Sequence, residues 1–171
     1  MSPDEHPELD AFLSSLELGR LMSGTVAAIE RFGVFVKLDD GPDHPLFAGV
    51  GFVSPAELSW RRISSTSDAV QLGQRVTAEF LQYDTWNMEA RLSLKATQPD
   101  PLRTFSDVVT VGQELRGRVT MLVPFGVFVE IADGVEGLVP VPDLAQPGDE
   151  ITVVVAEIDQ KRRTVLLTGR G

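Results

Sequence analysis

A block of eighteen residues occurs twice in this chain. Gly24-Thr-Val26-Ala-Ala-Ile-Glu-Arg-Phe32-Gly33-Val34-Phe35-Val36-Lys37-Leu-Asp-Asp40-Gly41 returns 93 residues later as Gly117-Arg-Val119-Thr-Met-Leu-Val-Pro-Phe125-Gly126-Val127-Phe128-Val129-Glu-Ile-Ala-Asp133-Gly134, with nine positions identical. Beyond the block the copies stay parallel: Gly51-Phe52-Val53 answers Gly137-Leu138-Val139, Gly73 to Val76 answers Gly148 to Ile151, and Tyr83-Asp84 answers Ile158-Asp159. A repeat of this length is too long for a solenoid unit and suits a small domain. The 171 residues therefore divide into an acidic tail and short helix (1–17), a first domain (18–96), a linker stiffened by Pro99 and Pro101 (97–108), and a shortened second domain (109–171).

Apolar residues alternate within each copy, the mark of strands with one buried face. Val34, Val36 and Leu38 share one side, as do Val127, Val129 and Ile131; Val76, Ala78 and Phe80, then Leu92 and Leu94, extend the pattern. Asp40-Gly41 and Asp133-Gly134 read as hairpin turns. Closing several short antiparallel strands removes exposed edges, so the expected class is all-β, with two tandem five-stranded barrels. Leu9, Phe12, Leu13 and Leu16 have helical spacing and predict a short amphipathic helix from Pro7 to about Leu18. Because Val34 and Val36 point inward, Phe35 is expected to face outward, and Phe128 likewise. With Phe32 and Phe125 just before the bending glycines, each copy offers two rings as stacking platforms for unpaired bases, or as a contact surface for protein.

Taken in order, Gly-x-Val, Phe-Gly-Val-Phe-Val, Gly-hydrophobic-Val, Glu57-Leu58, Gly-x-x-Val and Arg91-Leu92-Ser93-Leu94-Lys95 resemble the ribosomal protein S1 type of RNA-binding domain. The resemblance covers most of residues 18–96 and, less completely, 109–168. It implies an OB-fold barrel that binds single-stranded RNA without catalysis or cofactor. The RNA-binding residues it implies are Phe32, Phe35, Asp84 and Arg91 in the first copy, with Lys37 beside the rings. In the second copy they are Phe125, Phe128 and Asp159, with Thr164 or Arg163 in the arginine's place. The family's usual histidine is absent, being Ser54 and Pro140 here. The first copy gains seven residues around Pro42 to Gly49, and Trp86 can set another ring near Asp84; the second lacks the residues between Leu58 and Gly73 that plug the first. The first copy is therefore expected to be the better RNA binder.

Charge pulls the other way. Twenty-five acids against fifteen bases leave a formal charge of −10, four of the acids lying in residues 1–15. That field opposes phosphate at long range, so affinity is expected to be modest and salt-sensitive. It also favours the competing expectation of an acidic protein-interaction module of the RNA or translation machinery. Asp39, Asp40, Asp43 and His44 read as a solvated acidic loop before a metal site, so no metal is expected. Trp60-Arg61-Arg62 is the densest basic and aromatic cluster of the first copy, read equally as an RNA path or a helix cap. No phosphate loop, zinc-protease motif or nucleophile elbow is present, and no cysteine, so no enzyme is expected. The absence of cysteine, of a long apolar run and of a basic leader points to a cytoplasmic protein with no membrane contact. The partners implied by the resemblance are single-stranded mRNA or rRNA, and the ribosome or another protein of the RNA machinery.

Overall fold

The computed structural model describes residues 1–169 and divides into two compact units, Met1–Pro99 and Asp100–Gly171. In the first unit, helix α1 (Pro7–Ser14) precedes strands β1 (Leu21–Glu30), β2 (Gly33–Leu38), β3 (Gly51–Val53), β4 (Arg75–Asp84) and β5 (Glu89–Ser93). They close in the order β1-β2-β3-β5-β4, antiparallel except for the parallel β3–β5 pair. In the second unit, helix α2 (Pro101–Val108) precedes β6 (Glu114–Val123), β7 (Gly126–Ala132), β8 (Val135–Val139), β9 (Glu150–Asp159) and β10 (Thr164–Gly169). These follow the same circuit, with β8 and β10 as the parallel pair. The fold is thus all-β, with two closed five-stranded barrels and a small N-terminal helix, as the alternation predicts.

Alternation builds each core. Val34 and Val36 are fully buried in the first barrel with Val26, Ala78, Phe80 and Leu92, and Val127 and Val129 are fully buried in the second with Val119, Val153 and Leu167. The α1 helix lays Leu9 and Leu13 against the first core, and the Tyr83 hydroxyl donates to Asp10 Oδ1 at 3.0 Å. Burial, then the Asp10 carboxylate, push the Tyr83 phenol up to about 12.

Two local expectations need correction. Asp133-Gly134 does form a two-residue turn between β7 and β8, with Gly134 at φ 77°, but Asp40-Gly41 instead opens the long connection from Leu38 to Gly51. The stretch expected as a stiff linker contains α2. Pro101 stands in its first turn, where a missing N–H costs nothing, and the Asp100 carboxylate caps it by accepting from Leu102 N at 3.0 Å. Leu102 and Phe105 are buried in the second core. They lie 93 residues after Leu9 and Phe12, so the repeat begins with the helix and each barrel carries its own leading helix.

Removing the α2 ring tests this role. Phe105→Ala is expected to destabilise the second barrel by about 3–5 kcal/mol. Unit-resolved hydrogen exchange should show faster exchange from β6 to β10 and unchanged protection from β1 to β5.

Candidate nucleic-acid interface

Each β-hairpin that begins a barrel turns in two residues, Arg31-Phe32 between Glu30 and Gly33, and Pro124-Phe125 between Val123 and Gly126. The tip position leaves both rings open to solvent, Phe32 at 60% and Phe125 at 59%. The following glycines are required by close packing. A Cβ on Gly33, whose φ is +154°, would overlap the Phe52 ring, and one on Gly126 would overlap the Val139 carbonyl.

Phe35 corrects the expectation of a solvent-facing ring. It lies opposite the core valines, outside the barrel's core, yet is only 6% exposed. Phe47 stacks on it at 5.2 Å between ring centroids, Phe52 meets it edge-on at 5.2 Å, and Phe32 at 5.9 Å. Phe32 in turn stacks on Phe52 at 6.1 Å with 18° between planes. Pleat alternation chooses the side of a strand; it does not decide whether something else covers that side. The cluster is therefore a built platform in which Phe35 and Phe52 form the base and Phe32 the open ring. Strand alternation carries no signal for Phe47 and Phe52 as platform rings; the one sequence signal for Phe47 is its place in the insertion from Pro42 to Gly49.

That insertion is fastened by His44, which is buried and not solvated as expected. His44 Nδ1 accepts from Leu46 N at 3.0 Å and Phe47 N at 3.1 Å, so Nε2 carries the proton and donates to the Asn87 carbonyl at 3.0 Å. Burial lowers its pKa, and the neutral ring packs 4.6 Å from Phe47. Both nitrogens are committed to backbone, while Asp39 is paired with Arg75 and Asp43 lies 3.8 Å from Lys37. Among the described residues, no group of three or more His, Asp or Glu is arranged to hold a metal ion. Lys37, two residues beyond Phe35, is exposed.

Arg91 is the polar partner of the platform. Its β5 position pairs with Phe52, and its guanidinium carbon sits 4.8 Å from that ring's centroid. Nη2 and Nε donate to Asp84 Oδ2 at 3.0 and 3.3 Å. Asp84 also accepts from the backbone N–H groups of Trp86 and Asn87 and from the Asn87 side chain. Burial raises the Asp84 pKa, but the Arg91 hydrogen bonds and those from Asn87 and Trp86 outweigh it and hold the carboxyl below its usual range. The turn that Asp84 braces displays Trp86 at 84% exposure. Contacts thus run without interruption from Phe32 through Phe52, Arg91 and Asp84 to the Trp86 turn. The basic cluster follows a different course: Trp60 lies under the Lys95 ammonium at 4.7 Å and donates Nε1–H to the Gln98 carbonyl.

The second barrel does not repeat this chemistry. Phe128 is half-buried, and the structure seats neither Thr164 nor Arg163 in the arginine's place. Leu166 occupies it: Leu166 pairs with Leu138 as Arg91 pairs with Phe52. Arg163 falls instead at the turn position of Met88, both residues having positive φ (57° and 54°). Its guanidinium is bound to Asp100, with Nη2 to Oδ1 at 2.8 Å, and that pairing holds the Asp100 carboxyl below its usual range. Asp159 caps its own turn through Arg162 N at 3.0 Å, with the Arg162 side chain at 3.9 Å. Arg91 follows Asp84 by seven residues, and the same count from Asp159 reaches Leu166, a signal already present in the sequence.

The S1 RNA-binding domain model matches residues 15–95 and 108–169. The chain belongs to the S1 RNA-binding domain family. Its curated relatives include the small ribosomal subunit protein bS1 of Mycobacterium tuberculosis H37Rv, 41% identical over 168 residues, covering 92% of this chain and 33% of that protein. The bS1 of Neisseria meningitidis is 33% identical, covering 94% of this chain and 29% of that protein. The chain spans about a third of the length of these relatives. Among solved structures, a complex of a/eIF2alpha, aDim2p and rRNA from Pyrococcus horikoshii aligns over 54% of this chain, with 26% identity and a TM-score of 0.41.

Beside the Asp84–Arg91 pair lies Glu89, 3% exposed and paired in register with Asp84. Burial pushes its carboxyl up to about 7; Arg91 opposes the shift and Asp84 adds to it. An acid whose pKa rises on folding stabilises the fold below its unfolded value, and that contribution is lost as pH climbs through the folded value. The window here runs from about 4.5 to about 7. Glu89→Gln should therefore match the parent near pH 4 and gain stability on the order of 2 kcal/mol near pH 8. Urea unfolding followed through Trp60 and Trp86, both in the first unit, measures the difference.

Proposed function

We propose that this chain is a non-catalytic single-stranded-RNA-binding protein whose first barrel carries the RNA, working in translation at the ribosome or on messenger RNA in the cytoplasm. The observation that carries the reading is the open Phe32 ring backed by Phe52 and flanked by the Asp84-braced Arg91. An unpaired base gains about 1–3 kcal/mol by stacking on such a ring. Arg91 spends two of its five N–H donors on Asp84, which fixes the guanidinium plane and leaves others for a phosphate or base edge. Lys37 adds a second cation on the same face of β2 as Phe35. Trp86 offers a further ring at the far end of the contact chain. Membership of the S1 family and ribosomal relatives support this reading, and neither cofactor nor reactive group is required by it.

The roles differ from those expected of the sequence alone. Phe35 supports Phe32 and Phe52 instead of meeting RNA directly. In the second barrel Phe125 and Phe128 keep their places with Leu166 where the first barrel has Arg91, and Arg163 is held by Asp100, so that barrel contributes little to RNA affinity.

Oligouridylate binding, followed by fluorescence anisotropy of a labelled strand, tests the assignment. Phe32→Ala and Trp86→Ala should each weaken binding about tenfold, with Trp86→Phe retaining most of it. Arg91→Ala should weaken it similarly and flatten the logarithmic salt dependence by about 0.7. Phe125→Ala should change affinity less than twofold, about 0.4 kcal/mol or under. Equal binding by all variants would place the RNA elsewhere, and no binding by the parent at low salt would reject the function.

A further inference from the structure

The register that puts Leu166 where the first barrel has Arg91 also changes what that face can hold. Phe128, Leu138 and Leu166 floor a cleft of about 380 Å³. Leu166 remains 38% exposed, an apolar side chain displayed where the other barrel has a cation. Of the two arginines at the rim, Arg163 is bound to Asp100, and Arg162, largely exposed, lies 3.9 Å from Asp159. Glu136 and Glu157 line the same cleft and add negative charge.

With Arg163 drawn to Asp100 and Arg162 beside Asp159, Glu136 and Glu157 leave the cleft lining net negative. A phosphate backbone, an anionic lipid surface and a second copy of this chain, at −10, all carry the wrong sign. What complements an apolar floor with a carboxylate rim is a segment that inserts aliphatic side chains and sets cations at the edge. We propose that this face of the second barrel is a docking cleft for a lysine- or arginine-bearing aliphatic peptide segment of a partner protein. The tandem then joins two different recognitions, RNA on the first barrel and a basic protein segment on the second. The inference does not rest on RNA binding by the first barrel, because it concerns residues the RNA reading leaves unused.

Methyl NMR of the full chain, labelled at leucine and valine, reads the cleft directly. The probes are a set of hexapeptides of the pattern Lys-Leu-Lys-Val-Arg-Leu, their counterparts with Glu for every base, and oligouridylate. The basic peptides should shift the Leu138 and Leu166 methyls saturably, with a dissociation constant at or below about 1 mM. Glu157→Lys and Leu166→Arg should each weaken that binding about fivefold or more, roughly 1 kcal/mol. Unchanged Val127 and Val129 methyl signals in these variants report an intact core.

Equal shifts from acidic and basic peptides would overturn the proposal, as would the lack of a saturable shift from any basic peptide. Oligouridylate moving the same methyls would overturn it in favour of a second RNA face. The RNA reading fails separately, if oligouridylate leaves the Trp86 indole signal unmoved while the peptides still bind.

Discussion

The two-residue period of the strand after each hairpin turn governs the molecule. One strand, β2, must close the barrel with Val34 and Val36 while presenting Phe35 on its opposite side. A shift of one residue would exchange the two sets, putting a benzyl group in the core and valines on the surface. The same constraint acts on β7 with Val127, Val129 and Phe128. Core and recognition surface are thus two faces of one strand, and the glycine before it lets a neighbouring strand's side chain lie close.

On that frame the first barrel assembles a surface of interlocked parts. Phe35 would be a large exposed hydrophobe if left alone; Phe47, brought by the insertion, covers it, and His44 fixes the insertion through three hydrogen bonds to backbone. The carbonyl that His44 engages belongs to Asn87, in the turn braced by Asp84. Arg91 joins the two halves by resting on Phe52 and binding Asp84. Only Phe32 and Trp86 among these rings remain open, so the rigid cost of the surface is borne in folding and little is left to order when a ligand arrives.

The copies show how one frame supports two chemistries. Replacing an arginine by Leu166 and a ring by Leu138 removes the cation and the guanidinium–aromatic contact together. Arg163 is drawn into an ion pair with the cap of α2, so it serves the helix that seals the barrel. The first barrel thus sets a guanidinium against its aromatic platform, and the second sets a partly exposed leucine at the same register.

Much of this was legible in the amino-acid order. The repeat fixed the number of barrels, alternation identified Val34, Val36, Val127 and Val129 as core, and helical spacing located α1. These depend on periodicity along the chain, which local sterics and burial impose everywhere. The second helix was hidden because Pro99 and Pro101, before and at its start, read as linker, although Leu102 and Phe105 repeat Leu9 and Phe12. What tertiary structure alone decided was cover and partnership: Phe47 over Phe35, His44 inside its loop, Arg163 on Asp100, Glu89 buried beside Asp84. Each joins residues distant in the chain or across a turn, and the approach of such side chains is set by barrel closure and loop path, for which a linear pattern has no period.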